Sequence, residues 1–424
     1  MEVYLQIKNA LDDIFDNQGF INLVINKRIK EVEKQNQPLF SKVVYGVTEN
    51  KIFLDYNIHH YLVKDLKNKD ILQLLRIGFY IIHFTNLTKA LVVNEIVELS
   101  KEFDKSLSGL VNGVLKKTIN DTLSLPDDSV DHLLSVKYSY PEKLVNFLRR
   151  MYEDQIEDIL KHPTTIYNTY RINPLKDFSI DDIKVKYQLI DNSIVTEANL
   201  NNTKFVKQGI LVNQNLSSQR VIKLVDKKPH MMVLDMCSAP GSKALMLAEE
   251  MNNQVDITCL DIYQHKIDLI NKQSELQGVT CLNTLVQDAS QYQTTKQFDL
   301  ILLDAPCSGL GVMKHKVDLK YQFSFKKLEE LYPLQKALLG KAYQLLKEEG
   351  VLIYSTCTIN PLENEEMMKY FFKKHKNMKL LEEVKQLPDD LYDGFYICKM
   401  KKENKNEEHL WFNTWWTNWI FLNT

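Results

Sequence analysis

Two cysteines that follow strand-like apolar runs are the residues of this chain best suited to chemistry. Cys307 lies in LILLDAPCSG and Cys357 lies in YSTCTINPLENE. Each apolar run predicts a buried strand, and the Pro, Ser or Thr residues around each cysteine predict a turn. The cysteines are 50 positions apart, which leaves room for one helix and the next strand. Because parallel strands end at one edge of a sheet, the spacing predicts that the two thiols lie close together.

A third apolar run that ends in a turn, VLDMCSAPGSK, predicts a loop that binds an anionic group. Each of these three segments is called an island below. Pro240 and Gly241 turn the chain away from a strand, and a helix is expected to begin at about Ser242. Backbone N–H groups at such a helix start favour a carboxylate or a phosphate. The spacing matches neither G-x-G-x-x-G nor the phosphate-binding loop of nucleoside triphosphatases, so it disfavours binding of a dinucleotide or ATP.

Two acidic residues at the ends of the next strands complete the predicted pocket. Asp261 could accept hydrogen bonds from ribose hydroxyls, and Asp288 could meet an adenine amino group. A carboxylate-binding loop, an acid for ribose and an acid near the base together describe a pocket for S-adenosylmethionine. The predicted cofactor-binding residues are Cys237, Ser238, Ala239, Pro240, Gly241, Ser242, Lys243, Asp261, Asp288 and Asp304.

The elements that must position these residues predict a multidomain chain. Residues 1–130 show apolar positions at helical spacing and predict an all-α bundle of five to seven helices. Residues 131–205 predict a small α+β connector. In 206–402 strands and helices alternate, which is typical of a parallel sheet in an α/β Rossmann-like domain. Residues 403–424 are an atypical tail that holds all four tryptophans of the chain.

Composition indicates an ordinary globular protein. The 424 residues are 44% hydrophobic and 25% charged, with a net charge of −2. We found no signal peptide and no apolar window of membrane-spanning length, so a cytoplasmic monomer is expected. The six cysteines include no C-x-x-C pair and no histidine at ligand spacing. A metal site is therefore not expected.

The same islands resemble motifs of a known enzyme family. DMCSAPGSK, DAPCSGLG and YSTCTINPLENE resemble motifs I, IV and VI of the RNA 5-methylcytosine methyltransferases, which are class I methyltransferases. The segments LLRIGFYIIHF, LVVNEIVELSKEF and GLVNGVLKK resemble the NusB-like RNA-binding fold. The whole chain thus resembles the RsmB (Sun/Fmu) family. It departs from that family in CSAPGSKA, where CAAPGGKT is usual, and in HKVDLK, where R-x-P-D-[IL]-K is usual.

The resemblance implies S-adenosylmethionine-dependent methylation at C5 of a cytosine in 16S rRNA. It assigns Cys357 as the nucleophile that attacks C6, and Cys307 as the residue that assists release. Asp304 would hydrogen-bond cytosine N3. A lowered thiol pKa is expected at such a turn, because the thiolate is the reactive form. The predicted contacts with substrate RNA are Lys243, Arg171 and Pro306. Lys243 could instead orient Asp304.

Two other functions are compatible with the residues. One is the same reaction on tRNA, against which the NusB-like segment argues only by resemblance. The other is an RNA-binding or assembly factor that keeps the fold without catalysis. The presence of Asp304, Cys307 and Cys357 argues against this second function, because a binding protein has no use for two thiols at strand ends.

Overall fold

The computed structural model describes residues 1–163 and 165–404, which form two compact units. The first unit consists of Met1–His162 and Met313–Phe323, and the second of Pro163–Val312 and the chain from Ser324 onward. The predicted connector 131–205 is thus divided between the two units. Most of the predicted tryptophan-rich tail, residues 405–424, lies outside the described residues.

The first unit is helical. It contains α1 (Glu2–Phe15), α2 (Ile21–Arg28), α3 (Gln37–His59), α4 (Lys69–Phe84), α5 (Lys89–Asp104), α6 (Ser108–Thr118), α7 (Val130–Tyr138), α8 (Glu142–Arg149), α9 (Ile156–Leu160) and α14 (Leu319–Gln322). Six of these end before residue 119, so the predicted bundle is confirmed. Asn68 caps α4 by accepting a hydrogen bond from the Ile71 backbone N–H at 3.1 Å.

Close packing of α3 against α4 depends on a glycine. A side chain at Gly46 would place its Cβ 1.9 Å from Cζ of Tyr80. The core around this contact consists of side chains that are inaccessible to solvent, among them Ile7, Leu11, Phe40, Leu74 and Phe79. Glycine at this position therefore permits the close approach of α3 and α4.

The segment Met313–Phe323 holds the HKVDLK sequence and packs within the first unit. Val317 belongs to the helical core, and Asp318 Oδ2 accepts a hydrogen bond from the Ile21 backbone N–H at 3.4 Å. Lys320 is 1% exposed, and its Nζ donates to the Glu49 backbone carbonyl at 2.7 Å. Asp318 and Lys320, two residues that HKVDLK shares with R-x-P-D-[IL]-K, thus hydrogen-bond this segment to the helices of the first unit.

Stability of the first unit is expected to rise with pH because of Lys320. Burial lowers the pKa of Lys320 from 10.5 to about 7. Between these values the unfolded chain binds the proton and the folded chain does not, so raising the pH favours the folded state. Below pH 7 both states are protonated, and the cost of burying the ammonium group is fully present.

Thermal unfolding of the full-length protein across this pH range checks the expectation. Lys320→Met should flatten the rise seen in the wild type, and the exposed Lys316→Met should leave it unchanged. If the melting temperatures of the wild type and Lys320→Met rose in parallel with pH, the result would contradict the expected contribution of Lys320.

The second unit contains two sheets and the helices that cover them. Its helices are α10 (Lys204–Lys207), α11 (Leu216–Lys223), α12 (Ser242–Glu250), α13 (Gln264–Gln277), α15 (Phe325–Leu345) and α16 (Glu365–Lys374). Its strands are β1 (Asn168–Ile172), β2 (Gln188–Ile190), β3 (Ser193–Thr196), β4 (Leu211–Asn213), β5 (Met232–Asp235), β6 (Asp256–Asp261), β7 (Leu282–Val286), β8 (Phe298–Asp304), β9 (Leu346–Thr356), β10 (Met378–Gln386) and β11 (Phe395–Lys402).

The larger sheet carries the three sequence islands. Its strand order is β10-β11-β9-β8-β5-β6-β7. The strands from β9 to β7 pair in parallel, whereas β11 pairs antiparallel with both β9 and β10. The predicted α/β class is confirmed, with a mixed sheet in place of an all-parallel one. The smaller antiparallel sheet has the order β2-β3-β1-β4. None of the helices in the described ranges is long and apolar enough to cross a membrane.

Candidate active site

Strands β8 and β9 bring the two cysteines together. The strands pair in parallel with Asp304 opposite Ser355, so both turns leave the sheet at the same edge. Cys307 and Cys357 follow within these turns, and their Sγ atoms are 3.4 Å apart. Both residues are partly accessible to solvent. The structure therefore places two thiols in hydrogen-bond contact where a substrate can reach them.

Asp304 is fixed next to the thiols by two donors. Its Oδ2 accepts a hydrogen bond from Lys243 Nζ at 2.6 Å, and its Oδ1 accepts one from Ser355 Oγ at 2.8 Å. Lys243 is only 7% exposed, so its ammonium group is held in this ion pair. The carboxylate is consequently oriented by its surroundings rather than by solvent.

Hydrogen bonds within the site also tie the two cysteine turns to each other. Glu363 accepts hydrogen bonds from the backbone N–H of Ser308 at 2.8 Å and from Asn360 Nδ2 at 2.9 Å. The backbone N–H of Gly311 donates to the Cys357 carbonyl at 3.0 Å. A side chain at Gly311 would place its Cβ 2.0 Å from the Gly394 carbonyl oxygen. Only glycine allows this close backbone contact beside Cys357.

The thiol of Cys307 is held in its protonated form. Its hydrogen bond with Cys357 raises the pKa of Cys307 well above the usual value, and burial and the negative charges of Cys357, Glu363 and Asp304 add to the shift. A lowered pKa was expected for the attacking thiol, and Cys307 shows the opposite. This difference suits Cys307 to a role other than nucleophile.

The first island forms the loop that the sequence predicted. Gly241 adopts a φ of +94° at the start of α12, a conformation that is strained for other residues. The backbone N–H of Ser238 donates to the Leu260 carbonyl at 2.9 Å, which ties the loop to β6. Cys237 and Ala239 are partly exposed and Pro240 is exposed, so the loop surface is open to a ligand. Burial raises the pKa of the Cys237 thiol, which makes it unreactive.

The acidic residues stand along the same sheet edge and fit S-adenosylmethionine. Asp261 ends β6, and Asp288 lies two residues beyond β7, the adjacent strand. Asp261 Oδ1 accepts a hydrogen bond from the Tyr263 backbone N–H at 3.1 Å and keeps lone pairs for further donors. Asp235 Oδ1 is buried without a hydrogen-bond partner among the described residues, and burial raises the Asp235 pKa to about 7. A bound donor group would satisfy this orphaned oxygen.

Comparison with known proteins identifies the family. Residues 222–403 match the family described as "16S rRNA methyltransferase RsmB/F", and residues 1–120 match the NusB family. A "Probable ribosomal RNA small subunit methyltransferase B" of Bacillus subtilis is 32% identical over 93% of this chain and 97% of its own. The chain belongs to the RsmB family. The "Ribosomal RNA small subunit methyltransferase B" of Photorhabdus laumondii is 26% identical, over the same shares of the two chains.

Solved structures share the fold of this RsmB family member. The crystal structure of PH0851 superposes with a TM-score of 0.78 at 20% identity and covers 94% of this chain and 98% of its own. A methyltransferase homologue from Pyrococcus horikoshii gives a TM-score of 0.54 at 22% identity and covers 63% of this chain and 97% of its own.

Arg171 corrects one prediction made from the sequence. The residue lies on β1, and its side chain is only 2% exposed. Its guanidinium forms an ion pair with Glu249 on α12, and its Nε donates to Gln214 Oε1 at 2.8 Å. An arginine with these partners in the interior has no free face for a phosphate. The predicted contact of Arg171 with RNA is therefore wrong for this RsmB family member.

Breaking the Arg171–Glu249 pair is expected to destabilise the second unit. Glu249→Ala leaves the guanidinium buried without its counter-charge, which costs about 3–5 kcal/mol. Urea unfolding of the full-length protein measures the change. Glu250→Ala is the matched control, since Glu250 is partly exposed and pairs with Lys227 at 3.1 Å, and it should cost about 1 kcal/mol or less. Equal losses of unfolding free energy in Glu249→Ala and Glu250→Ala would contradict a structural role for the Arg171–Glu249 pair.

The remaining predicted residue, Pro306, lies in the Cys307 turn and is partly exposed. Its carbonyl accepts a hydrogen bond from Gln335 Nε2 at 2.8 Å, which anchors the turn to α15. Among the residues that the structure describes, no group of three or more His, Cys, Asp or Glu is placed to hold a metal ion. Sequence reasoning missed Ser355 and Glu363, although both stand in the same island as Cys357.

Proposed function

We propose that this protein transfers a methyl group from S-adenosylmethionine to C5 of a cytosine in 16S rRNA. The observation that carries the proposal is the pair of thiols 3.4 Å apart at the ends of neighbouring strands, next to Asp304. Membership of the RsmB family and the names of its relatives support rRNA of the small subunit as the substrate. We place the reaction in the cytoplasm, where the small subunit of bacteria is assembled.

Two thiols suit this reaction because cytosine C5 is a poor nucleophile. Addition of the Cys357 thiolate to C6 forms a carbon–sulfur bond and makes C5 electron-rich, as in an enamine. As the thiolate adds, N3 of the ring takes up a proton from solvent, and the Asp304 carboxylate accepts a hydrogen bond from the N3–H and stabilises its positive charge; this proton returns to solvent when the product is released. The ion pair with Lys243 and the Ser355 hydroxyl hold the Asp304 carboxylate in place for this contact.

The loop after β5 and the acids at the sheet edge would hold the cofactor. When bound, S-adenosylmethionine would supply an electrophilic methyl group to the electron-rich C5, and the electrons of the broken sulfur–methyl bond would stay on its sulfur. The N–H groups at the start of α12 would take its carboxylate, and Asp261 and Asp288 would take its ribose and adenine. These residues would hold the cofactor at the sheet edge at which both cysteines lie.

Release of the product needs a second residue that accepts a proton. Cys307, as thiolate, removes the proton from methylated C5, and the electrons of that C–H bond re-form the C5–C6 double bond. The bond between C6 and Cys357 breaks, and Cys357 leaves as a thiolate. A cytosine inside a helix must be flipped out to reach the thiols, so the substrate segment is single-stranded or opened.

Nucleoside analysis of RNA treated with the full-length protein tests the proposal. Incubation with S-adenosylmethionine and unmodified 16S rRNA should produce 5-methylcytosine at a discrete position, and the same incubation with tRNA should not. Methylation of tRNA alone would contradict the assigned substrate. Binding of S-adenosylmethionine with no methylation of any RNA would favour the RNA-binding or assembly factor.

A further inference from the structure

Glu363 is a buried carboxylate beside both cysteine turns. Its side chain is inaccessible to solvent. It accepts hydrogen bonds from four donors, namely the backbone N–H and the hydroxyl of Ser308, Asn360 Nδ2 and Gln335 Nε2. No Lys, Arg or His forms an ion pair with it within the described part of the chain. A carboxylate in the interior is costly unless its oxygens are fully hydrogen-bonded, and here they are.

The donors of Glu363 come from both sides of the site. Ser308 follows Cys307 directly, and Asn360 lies three residues after Cys357. The Ser308 and Thr358 hydroxyl oxygens are also 2.8 Å apart, which adds a direct bond between the two turns. One oxygen of Glu363 meets the Ser308 N–H and Gln335, and the other meets the Ser308 hydroxyl and Asn360. The carboxylate therefore fixes the distance between the turns that carry the thiols.

Glu363 also places a negative charge beside the Cys307 turn, because it accepts two hydrogen bonds from Ser308, the residue that follows Cys307. The two Sγ atoms lie 3.4 Å apart and can share a proton, and either sulfur can donate it. The charge of Glu363 acts on Cys307, where it contributes to the raised pKa after the Cys357 hydrogen bond, burial and the Cys357 charge. A negative charge close to Cys307 disfavours a thiolate there.

We propose that Glu363 is a positioning residue that locks the two cysteine turns together and keeps the shared proton on Cys307. Cys357 is then the thiolate that attacks C6, with the Cys307 S–H donating to it until the attack. The inference rests on the proposed function, because it assigns an origin to the difference between the two thiols in that reaction.

The arrangement also accounts for the later role of Cys307. Once Cys357 is bonded to C6, its sulfur carries no negative charge, and two of the causes that raise the Cys307 pKa disappear. Cys307 then releases its proton to water, which its partial exposure allows. The resulting thiolate takes the proton from C5. Cys307 is therefore protonated until Cys357 attacks and deprotonated afterwards, because the two thiols titrate as a coupled pair.

Alkylation of the two thiols as a function of pH tests the inference on the full-length protein without RNA. Iodoacetamide labelling of each cysteine is followed by mass spectrometry. In the wild type Cys357 should react at lower pH than Cys307. Glu363→Gln keeps the side-chain volume but removes the charge and sets an amide N–H₂ against hydrogen-bond donors. The Cys307 profile should then move down by about 1 pH unit.

Further variants separate the charge from the geometry. Glu363→Asp keeps the charge but shortens the reach, so its Cys307 profile should lie between those of the wild type and Glu363→Gln. Both substitutions should lower kcat for methylation by about 10²-fold through misplaced turns, with unchanged affinity for S-adenosylmethionine. Glu366→Gln is the matched control, because Glu366 is exposed and pairs with Lys369 at 2.6 Å, and it should change nothing.

Either of two results would overturn the inference. One is a Glu363→Gln profile that coincides with the wild type, and the other is a wild type in which Cys307 reacts at lower pH than Cys357. If Glu363→Gln does not fold, Ser308→Ala removes one donor, leaves the carboxylate and should lower kcat with the Cys307 profile intact. Because the titration needs no RNA, a wild type without cytosine methylation would overturn the proposed function and not these thiol states.

Discussion

Cys357→Ala is expected to abolish methyl transfer, with kcat lowered by about 10⁴-fold or more, because the substitution removes the proposed nucleophile. Without addition to C6 the ring has no means of making C5 electron-rich, and Cys307 cannot replace Cys357. The hydrogen bond and charge of Cys357 are lost in this variant, but burial and the negative charges of Glu363 and Asp304 still raise the pKa of the Cys307 thiol. Loss of activity should therefore be complete within the limits of detection.

The affinity for S-adenosylmethionine and the melting temperature should change little in Cys357→Ala. The residue is partly exposed and lies in the turn after β9, whereas the cofactor loop follows β5. Cys281→Ala provides the control, since Cys281 is also partly exposed but precedes β7 at the opposite edge of the sheet. Single-turnover methylation measures both variants. Residual transfer by Cys357→Ala at a rate near that of the wild type would refute its role as nucleophile.

Asp304→Asn is expected to lower kcat by about 10²–10³-fold, the usual effect of removing one group that stabilises charge in a transition state. The substitution removes a negative charge that faces the ring. It also sets an amide N–H₂ toward Lys243 or Ser355, both of which donate hydrogen bonds to the carboxylate. The loss should appear mainly in kcat, because the developing charge exists only in the transition state.

A matched control lies on the same strand. Asp299 stands at the start of β8, where it accepts hydrogen bonds from Lys347 Nζ and the Met232 backbone N–H, each at 2.8 Å. Asp299→Asn should keep the wild-type kcat. Steady-state kinetics of both variants with 16S rRNA makes the comparison. Equal kcat values for Asp304→Asn and the wild type would exclude a catalytic role for Asp304.

The order of elements and the position of the thiols were predictable because they depend on local patterns. The apolar runs that became β5, β8 and β9 are buried strands that end in turns of Pro, Gly, Ser or Cys, as predicted. The contact between Cys307 and Cys357 followed from strand-and-helix spacing alone. A prediction from such spacing works where one parallel strand succeeds another along the chain.

Features that depend on distant partners were not predictable. β10 was not predicted, because only one of its nine residues is buried and MKLLEEVKQ shows no alternation of apolar and polar residues. The strand forms by antiparallel pairing with β11. Arg171 was misassigned because its counter-ion, Glu249, lies 78 positions away. α16 begins only at Glu365, because Glu363 is engaged in the turn beside the thiols.

The most direct test of the two-cysteine account is a search for a covalent protein–RNA adduct in Cys307→Ala. The full-length variant is incubated with S-adenosylmethionine and 16S rRNA, denatured and analysed by gel electrophoresis. We predict that Cys307→Ala accumulates an adduct that resists denaturation, because Cys357 attacks but release is blocked, and that the double variant Cys307→Ala/Cys357→Ala forms none. An adduct that persists without Cys357, or rapid turnover without Cys307, would contradict the account.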